Sequence, residues 1–338
     1  MTPSRVAALA RLELVRPPRL SDDWISPMLP WYLIDRTLPL PIVDGSQFWT
    51  DQLWRGGYRL QSHALAEHWR VLDPRGWRCA IGSELDCIAA LGRLAGQCAD
   101  DCAPPEQIAI LLHGLLRTRR CMLKMERGLR AAGLNTVIRF DYASTRQPIE
   151  RGAAGLRRLV EGLPATARLS FVGHSMGNIV LRYAIGTWQR EGDPRAILPR
   201  MHRVVMLGPP NQGAAIARIL SKLRLFGLLV GEGGLSLGPN WQTLLPKLAI
   251  PPCPFAILAG DLSSTRFRNP LIDAASDLLV TVEEAKLDEV TKFQTLPLLH
   301  VRLMADPRAV AFATEFLLQP LDELAKPALP PNQAAPSG

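Results

Sequence analysis

The segment that decides the fold is Leu169-Ser170-Phe171-Val172-Gly173-His174-Ser175-Met176-Gly177-Asn178-Ile179-Val180. Its beginning, Leu169 to Val172, is typical of a strand buried on both faces of a sheet, and Asn178 to Trp188 predicts a helix. Between them, Gly173, Ser175 and Gly177 match the motif G-x-S-x-G at the turn from strand to helix. Such a turn holds the serine hydroxyl clear of the backbone, and side chains at the two glycine positions would collide. The placement therefore predicts a nucleophile elbow, with Ser175 as the nucleophile.

Short apolar runs and helical patterns alternate on both sides of this motif. Further strands are predicted at 108–112, 136–140, 204–207 and 255–258. Further helices are predicted at 119–132, after Pro148, and from Asp306-Pro307 to about residue 318. Such alternation predicts an α/β fold, doubly wound around a mostly parallel sheet with helices on both faces.

The first 105 residues differ in composition from the rest of the 338-residue chain. They hold 11 basic and 12 acidic residues, whereas the whole chain has a net charge of +8, and six of the eight tryptophans lie among them. Residues 1–50 are rich in proline and predict an extended arm, while 55–80 predict two strands and Ser83 caps a following helix. We therefore divide the chain into a small N-terminal accessory unit (1–105), a catalytic domain (106–325) and a disordered tail (326–338).

A serine hydroxyl is a weak nucleophile until a base accepts its proton. In doubly wound hydrolases the chain order is serine, acid, histidine, so the base follows the serine. Of the six histidines, only His202 and His300 follow Ser175, and His202 leaves too little chain for an acid before it. His300 lies between the run Leu296 to Leu299 and the last helix, and we predict that it is the base. His174 is adjacent to the nucleophile and therefore poorly placed to act as its base.

The sequence His113-Gly114-Leu115 directly follows the first predicted buried strand. In sheets of this kind, a loop at this position supplies one of two backbone N–H groups that bind a developing oxyanion. We predict that the donors are the N–H groups of Leu115 and Met176. His113 is expected to buttress the loop.

These segments together resemble the bacterial lipase/esterase branch of the α/β-hydrolase family, over about residues 107–318. The resemblance rests on the stretches 111–115, 172–177, 205–213, 277–283 and 296–300. It implies an α/β-hydrolase fold and hydrolysis of carboxylic esters without a cofactor. Two positions depart from the family: Leu278 replaces the glycine that usually follows the acid, and Asn178 follows Gly177 where relatives often have a second glycine.

The acid that orients the base is predicted to be Asp277, which lies 23 residues before His300 and after the strand that ends near Gly260. Asp261 and Asp273 are the alternatives. Asp261 is nearest to the strand end, and Asp273 precedes two alanines.

The segment of about 213–248 is predicted to form a helical cap over Ser175 that lines an acyl pocket. Ile216, Ile219, Leu220 and Leu223 follow the i, i+3, i+4, i+7 spacing of one apolar helix face. Two interpretations of this segment remain open: an ordinary helix buried on the sheet, or a mobile lid that faces lipid.

Several classes of protein are disfavoured by what the sequence lacks. No apolar run approaches the roughly 18 residues of a transmembrane helix. Arg11 and Glu13 interrupt the apolar run that a secretory signal needs, so a cytoplasmic location is expected and the cysteines should be reduced thiols. Cys98 and Cys102 have no second close pair, and we expect neither a metal nor a cofactor.

The expected substrate is a small-molecule or lipid ester, cleaved through an acyl-enzyme. A thioesterase or acyltransferase would use the same three residues, and a non-catalytic interaction protein on a hydrolase scaffold is disfavoured by the intact serine and histidine. Residues 106–160 contain 11 basic and 4 acidic residues. No nucleic-acid motif accompanies them, so no nucleic-acid partner is expected. A solvated basic face is the simplest interpretation, and peripheral contact with an anionic membrane is the alternative.

Overall fold

Two β-sheets of different construction organise the chain. The computed structural model describes residues 45–96, 106–213, 241–265 and 274–320. The smaller sheet is antiparallel, in the order β1-β2-β3-β4, with strands Trp49–Arg55, Tyr58–His63, Trp69–Leu72 and Arg78–Gly82. A helix, α1 (Glu84–Gly96), covers one face of it through Cys87, Leu91 and Ala95.

The larger sheet is parallel throughout, in the order β10-β9-β8-β7-β5-β6. Its strands in chain order are β5 Gln107–Leu112, β6 Thr136–Phe140, β7 Arg168–His174, β8 Met201–Leu207, β9 Phe255–Gly260 and β10 Lys292–Leu296. The helices that follow α1 in the described residues are α2 Leu123–Ala131, α3 Ile149–Glu161, α4 Met176–Glu191, α5 Trp241–Leu244, α6 Val282–Ala285 and α7 Pro307–Leu318.

Helices cover both faces of this parallel sheet. Alternate residues of β5 enter different cores: Ile108, Ile110 and Leu112 pack with α3 and α4, while Ala109 and Leu111 pack with α2 and α7. Because side chains of a strand point alternately to the two faces, a strand covered on both sides must be apolar at every position. This explains the unbroken apolar run of β5 and confirms the predicted α/β fold.

The smaller sheet packs on the larger domain through α3. A side chain at Gly155 of α3 would place its Cβ 2.5 Å from Thr50 Cγ2 and 3.0 Å from the Asp51 carbonyl oxygen, both on β1. Arg158 of α3 also pairs with Glu84 at the start of α1. The described residues belong to one compact unit.

Three strands are additional to those expected from the sequence. β1 and β4 extend the predicted strand–strand–helix unit, and β10 forms an edge of the parallel sheet. Strands at sheet edges bury fewer side chains: β4 is largely exposed, and β10 is only partly buried. Neither has the apolar run by which a buried strand is recognised.

Several predictions fall on residues outside the described ranges. These are most of the extended arm, residues 214–240 of the cap, the tail, the pair Cys98 and Cys102, and the alternative acid Asp273. Within the described residues, no helix has the length and apolar character needed to cross a membrane.

The close approach of α3 to β1 makes a prediction about stability. Replacing Gly155 with Ala should destabilise the protein by about 1–3 kcal/mol, because the methyl group overpacks a contact with backbone atoms. Urea unfolding measures this change. Gly92 of α1 is the matched control: a Cβ there meets nothing within 4 Å, so Gly92→Ala should stabilise by up to about 1 kcal/mol. Equal stability of Gly155→Ala and the wild type would contradict the packing of β1 on α3.

Candidate active site

The turn between β7 and α4 holds Ser175 in an unusual backbone conformation. Its φ is 53° and its ψ is −125°, a region that L-residues with a side chain rarely occupy. A Cβ on Gly177 would lie 2.6 Å from the His113 carbonyl oxygen, and one on Gly173 would lie 2.1 Å from Asn178 Oδ1. Both positions therefore require glycine, and the turn presents the partly exposed Ser175 at the carboxyl edge of the sheet.

Asn178, which follows Gly177, closes this turn. Its side chain is buried, and its Nδ2 donates to the Ser175 carbonyl oxygen at 3.1 Å. The amide thus fills the space beside Gly173 and holds the first turn of α4 to the strained residue.

The structure brings Asp277 and His300 together beyond the ends of β9 and β10. Asp277 Oδ2 lies 2.7 Å from His300 Nδ1, and the His300 backbone N–H donates to the Asp277 carbonyl oxygen at 3.1 Å. Both side chains are buried. A Cβ on Gly208, directly after β8, would lie 3.1 Å from two atoms of the His300 ring. The ring therefore lies against the end of the strand next to β7, with Nε2 as the nitrogen not bound to the carboxylate.

The second oxygen of Asp277 is held by its own loop. Asp277 Oδ1 accepts from the backbone N–H groups of Leu279 and Val280, at 3.0 and 2.8 Å. Leu278 between them has a φ of 82°, the left-handed region in which glycine is favoured. Leu278 therefore adopts a backbone conformation that glycine takes more easily, at a cost in backbone strain.

Asp261 and Asp273 are the two alternatives to Asp277 as the acid, and the structure describes only Asp261. Asp261 lies at the end of β9, where its Oδ1 accepts from the Ser263 N–H at 2.9 Å. Asp273 lies outside the described residues. Within the described residues, Asp277 is the carboxylate at hydrogen-bond distance from a His300 ring nitrogen.

The loop after β5 passes directly beside Ser175. A Cβ on Gly114 would lie 3.0 Å from Ser175 Cβ and 3.0 Å from His174 Nδ1, so the loop approaches this closely only with glycine there. Among the described residues, no group accepts a hydrogen bond from the Leu115 N–H. The Met176 N–H is at the first position of α4, where a helix leaves its N–H groups without intrahelical partners. The helix dipole adds partial positive charge at this end.

His174 joins the turn at Ser175 to the loop that carries His300, a role that sequence reasoning missed. Its Nε2 lies 3.0 Å from the His300 carbonyl oxygen, which can only accept, so Nε2 carries the proton. The two imidazole rings are 4.9 Å apart. Burial, followed by the charge of His300, holds the pKa of His174 well below its usual value. His174 is therefore a neutral hydrogen-bond donor that ties the backbone of His300 to β7.

Arg182 of α4 holds the loop that follows β8, and it too has no sequence signal beyond its charge. Its guanidinium is buried and donates to the Ala249 carbonyl oxygen at 2.9 Å and to Asn211 Oδ1 at 3.0 Å. Asn211 Nδ2 in turn donates to the Ala285 carbonyl oxygen at 2.9 Å. Burial lowers the pKa of Arg182 to about 10. This network connects the residues on both sides of the segment 214–240.

The other groups considered from the sequence lie in different surroundings. His202 is at the opposite end of the sheet, beside Ser170 and Gln107, and burial lowers its pKa to about 4. Cys121 and Cys253 are largely buried, which raises the pKa of each thiol to about 12. Within the described ranges, no group of three His, Cys, Asp or Glu side chains could hold a metal ion.

The six-stranded parallel sheet, its two helical layers and the serine at the turn after β7 define an α/β-hydrolase fold. Residues 106–207, from β5 to the end of β8, match the sequence model of a family described as "Putative serine esterase (DUF676)". A comparison with curated protein sequences finds no match.

Solved structures of bacterial lipases share this fold. The mature form of lipase BlEst2 from Bacillus licheniformis is similar over 64% of this chain and 94% of its own, with 16% identity and a TM-score of 0.50. Its propeptide form is similar over 70% of this chain and 54% of its own, with 16% identity and a TM-score of 0.51. At 16% identity, this similarity is evidence for a shared fold alone.

The buried, neutral His174 predicts a pH dependence of stability. In the unfolded chain its pKa is about 6.5, so below that pH the unfolded state binds a proton that the folded state excludes. Stability should therefore fall as the pH drops below about 6.5. His174→Gln keeps a donor for the His300 carbonyl and does not titrate, so its stability should fall less steeply than that of the wild type. Urea unfolding between pH 5 and 8 measures both slopes, and identical slopes would show that His174 accepts a proton in the folded state.

Proposed function

We propose that this protein is a serine hydrolase that cleaves carboxylic esters through an acyl-enzyme, with Ser175 as nucleophile, His300 as base and Asp277 as its orienting acid. The observation that carries the proposal is the contact of 2.7 Å between Asp277 Oδ2 and His300 Nδ1. It places the His300 ring against the end of β8, the strand next to β7. The match of residues 106–207 to a serine esterase family supports it.

The reaction begins when Ser175 Oγ adds to the carbonyl carbon of the ester. His300 Nε2 accepts the hydroxyl proton, and the Asp277 carboxylate stabilises the imidazolium that forms. The Leu115 and Met176 N–H groups donate to the oxyanion of the tetrahedral intermediate. His300 then returns the proton to the leaving alkoxide, which departs as the alcohol. A water molecule, deprotonated by His300, releases the acid from Ser175 by the same steps.

The buried environment of the pair favours this chemistry. Asp277 and His300 are 1% and 5% exposed, so their interaction is little screened by solvent. The two N–H bonds to Asp277 Oδ1 leave Oδ2 for the histidine. The carboxylate therefore holds one tautomer of His300, in which Nδ1 carries the proton and Nε2 can accept another.

The substrate is proposed to be a small-molecule or lipid ester, and the protein is proposed to be cytoplasmic. Peripheral contact with anionic lipid rests on the basic residues between 106 and 160. At least five of these 11 are in ion pairs with carboxylates, namely Arg119, Arg130, Arg139, Arg157 and Arg158. This pairing reduces the charge available to a membrane, so we regard a solvated basic face as the simpler proposal.

Substitution of the nucleophile is the first test. Ser175→Ala and His300→Ala should each lower kcat on p-nitrophenyl esters by at least about 10³-fold, and the double variant should be hardly slower than either, because the two residues act as a unit. Ser170→Ala, at the other end of β7, is the control and should lose stability only. A fluorophosphonate should label the wild type and Ser170→Ala but not Ser175→Ala. Normal hydrolysis by folded Ser175→Ala would refute the proposal.

A graded series of substrates distinguishes the reaction types that share this mechanism. Esters of increasing acyl length, the matching thioesters, and esters with an added alcohol acceptor would reveal an esterase, a thioesterase and an acyltransferase, respectively. A folded wild type that a fluorophosphonate leaves unlabelled would favour an interaction protein on a hydrolase scaffold.

The assignment of the acid has its own test. Asp277→Asn should lower kcat by about 10⁴-fold, because an amide cannot stabilise the imidazolium and favours the wrong tautomer of the base. Asp261→Asn is the matched control, and it should retain kcat within about threefold, since Asp261 caps its own loop. Comparable losses in both variants would overturn the assignment of Asp277.

A further inference from the structure

The small antiparallel sheet contacts the loop that supplies one of the proposed oxyanion donors. We propose that Gln47, in the turn that precedes β1, and Asp51 of β1 are positioning residues that hold the oxyanion loop (residues 113–117) in its active geometry. The proposal rests on the proposed function. It makes the N-terminal accessory unit a brace for the active site, although that unit supplies no group that reacts.

Asp51 of β1 is fixed by its own sheet and bonded to the loop after β6. Its carboxylate is fully buried and accepts from Arg59 Nη1 at 2.6 Å and from Gln61 Nε2 at 2.8 Å. The same carboxylate accepts from the Asp141 N–H at 2.9 Å, and the Asp51 N–H donates to the Asp141 carbonyl oxygen at 2.9 Å. Asp141 is thus held at both its backbone N–H and its backbone carbonyl by a single residue of β1.

Gln47 touches both loops with one side chain. Its Oε1 accepts from the hydroxyl groups of Ser144 and Thr145, each at 3.1 Å, in the loop after β6. Its Nε2 donates to the carbonyl oxygen of Arg117, the last residue of the oxyanion loop. The side chain is 6% exposed, so these hydrogen bonds meet little competition from water.

The loop after β6, which Asp51 and Gln47 hold in place, contacts His113 in turn. Asp141 Oδ1 lies 3.3 Å from His113 Nε2 and accepts from the Arg119 N–H at 3.2 Å. Tyr142 donates its hydroxyl to the His113 carbonyl oxygen at 2.7 Å, and its ring stacks on the imidazole at 4.3 Å. Burial alone would raise the pKa of Asp141, but the hydrogen bond and charge of His113, with Arg119, lower it. Asp141 is therefore a carboxylate that contacts His113 at the start of the oxyanion loop and Arg119 two residues beyond its end.

The orientation of the proposed donor follows from the planarity of one peptide. His113 Nδ1 donates to the Gly114 carbonyl oxygen at 2.9 Å, and the Arg117 N–H donates to it at 3.3 Å. Because the peptide bond is planar and trans, fixing the Gly114 carbonyl also fixes the Leu115 N–H, which points the opposite way. The contacts that begin at Gln47 and Asp51 therefore lead through neighbouring groups to the Gly114–Leu115 peptide. That peptide carries the N–H group that is proposed to bind the oxyanion.

If the small sheet only covered the domain, substitutions in it would affect different kinetic parameters. Loss of a cover changes stability or substrate affinity, whereas a misaligned oxyanion donor weakens the transition state and leaves ground-state binding nearly unchanged. Removing one such donor costs on the order of 10²–10³ in kcat, so loosening one should cost about 10–100-fold.

The test uses full-length Gln47→Glu, which keeps an acceptor for Ser144 and Thr145 but cannot donate to the Arg117 carbonyl. Gln52→Glu is the matched control, because Gln52 lies on β1, close to Gln47 in the chain, and donates to Ser62 Oγ at 3.0 Å within the small sheet. Gln47→Met and Gln52→Met repeat the comparison without a new charge, in case a buried carboxylate unfolds the protein.

We expect kcat to fall about 10–100-fold in the Gln47 variants, with KM within about threefold and both Gln52 variants close to wild type. Affinity for a trifluoromethyl ketone should fall by the same factor as kcat/KM. In that adduct Ser175 Oγ bonds to the ketone carbon and the hydroxyl proton passes to His300, leaving an oxyanion for the two N–H groups. Hydrogen exchange of the peptide containing residues 113–119 should be faster in the Gln47 variants alone.

The outcomes separate the two proposals. An active wild type whose Gln47 variants match the Gln52 variants in kcat and in exchange would overturn the brace. A change in KM or stability alone, without a change in kcat or in exchange at 113–119, would also overturn it. A wild type without hydrolase activity would overturn the proposed function, and the exchange measurement would then still decide whether Gln47 holds the loop.

Discussion

The positive φ of Ser175 and the packing around it constrain every element of the site. At 53°, this residue turns the chain from β7 into α4 within one position, and Gly177 brings the new helix against the carbonyl oxygens of Leu112 and His113. Two strands and one helix therefore meet within van der Waals distance. The loop after β5 can approach Ser175 only because Gly114 lacks a side chain. The strain at Ser175 is sustained by the burial of β5, β7 and α4 around it.

The proposed partners of Ser175 come from distant parts of the chain and are placed by the parallel sheet. β7, β8, β9 and β10 are consecutive neighbours in the sheet and run in one direction, so the loops after their carboxyl ends lie side by side. Asp277 follows β9 and His300 follows β10, and a short hydrogen bond joins the two side chains. His174 connects this pair to β7 by donating to the His300 carbonyl, so the site is closed by backbone contacts as well as side-chain contacts.

Buried polar groups connect the two sheets, where an apolar contact would have been enough for packing. The carboxylates of Asp51 and Asp141 are paired with arginine side chains and backbone N–H groups, which is the condition under which buried charges are tolerated. Such hydrogen bonds are directional, so they define the angle of a loop more narrowly than apolar packing does. The loops held in this way are the ones beside the proposed oxyanion donors.

Local sequence patterns determined the parallel α/β architecture, the position of the turn at Ser175 and the requirement for glycine at 173 and 177, because these depend on strand and helix periodicity and on close backbone approach. The edge strands β1, β4 and β10 could not be recognised, since a strand paired or covered on one side carries no continuous apolar run. Three acids were compatible with the order of serine, acid and histidine. Only the tertiary structure brought Asp277 Oδ2 to His300, and it alone related Gln47, Asp51 and Asp141 to the loop at Leu115. Hydrogen bonds between residues 70 to 97 positions apart leave no periodic trace in a sequence, because their geometry exists only after the chain has folded.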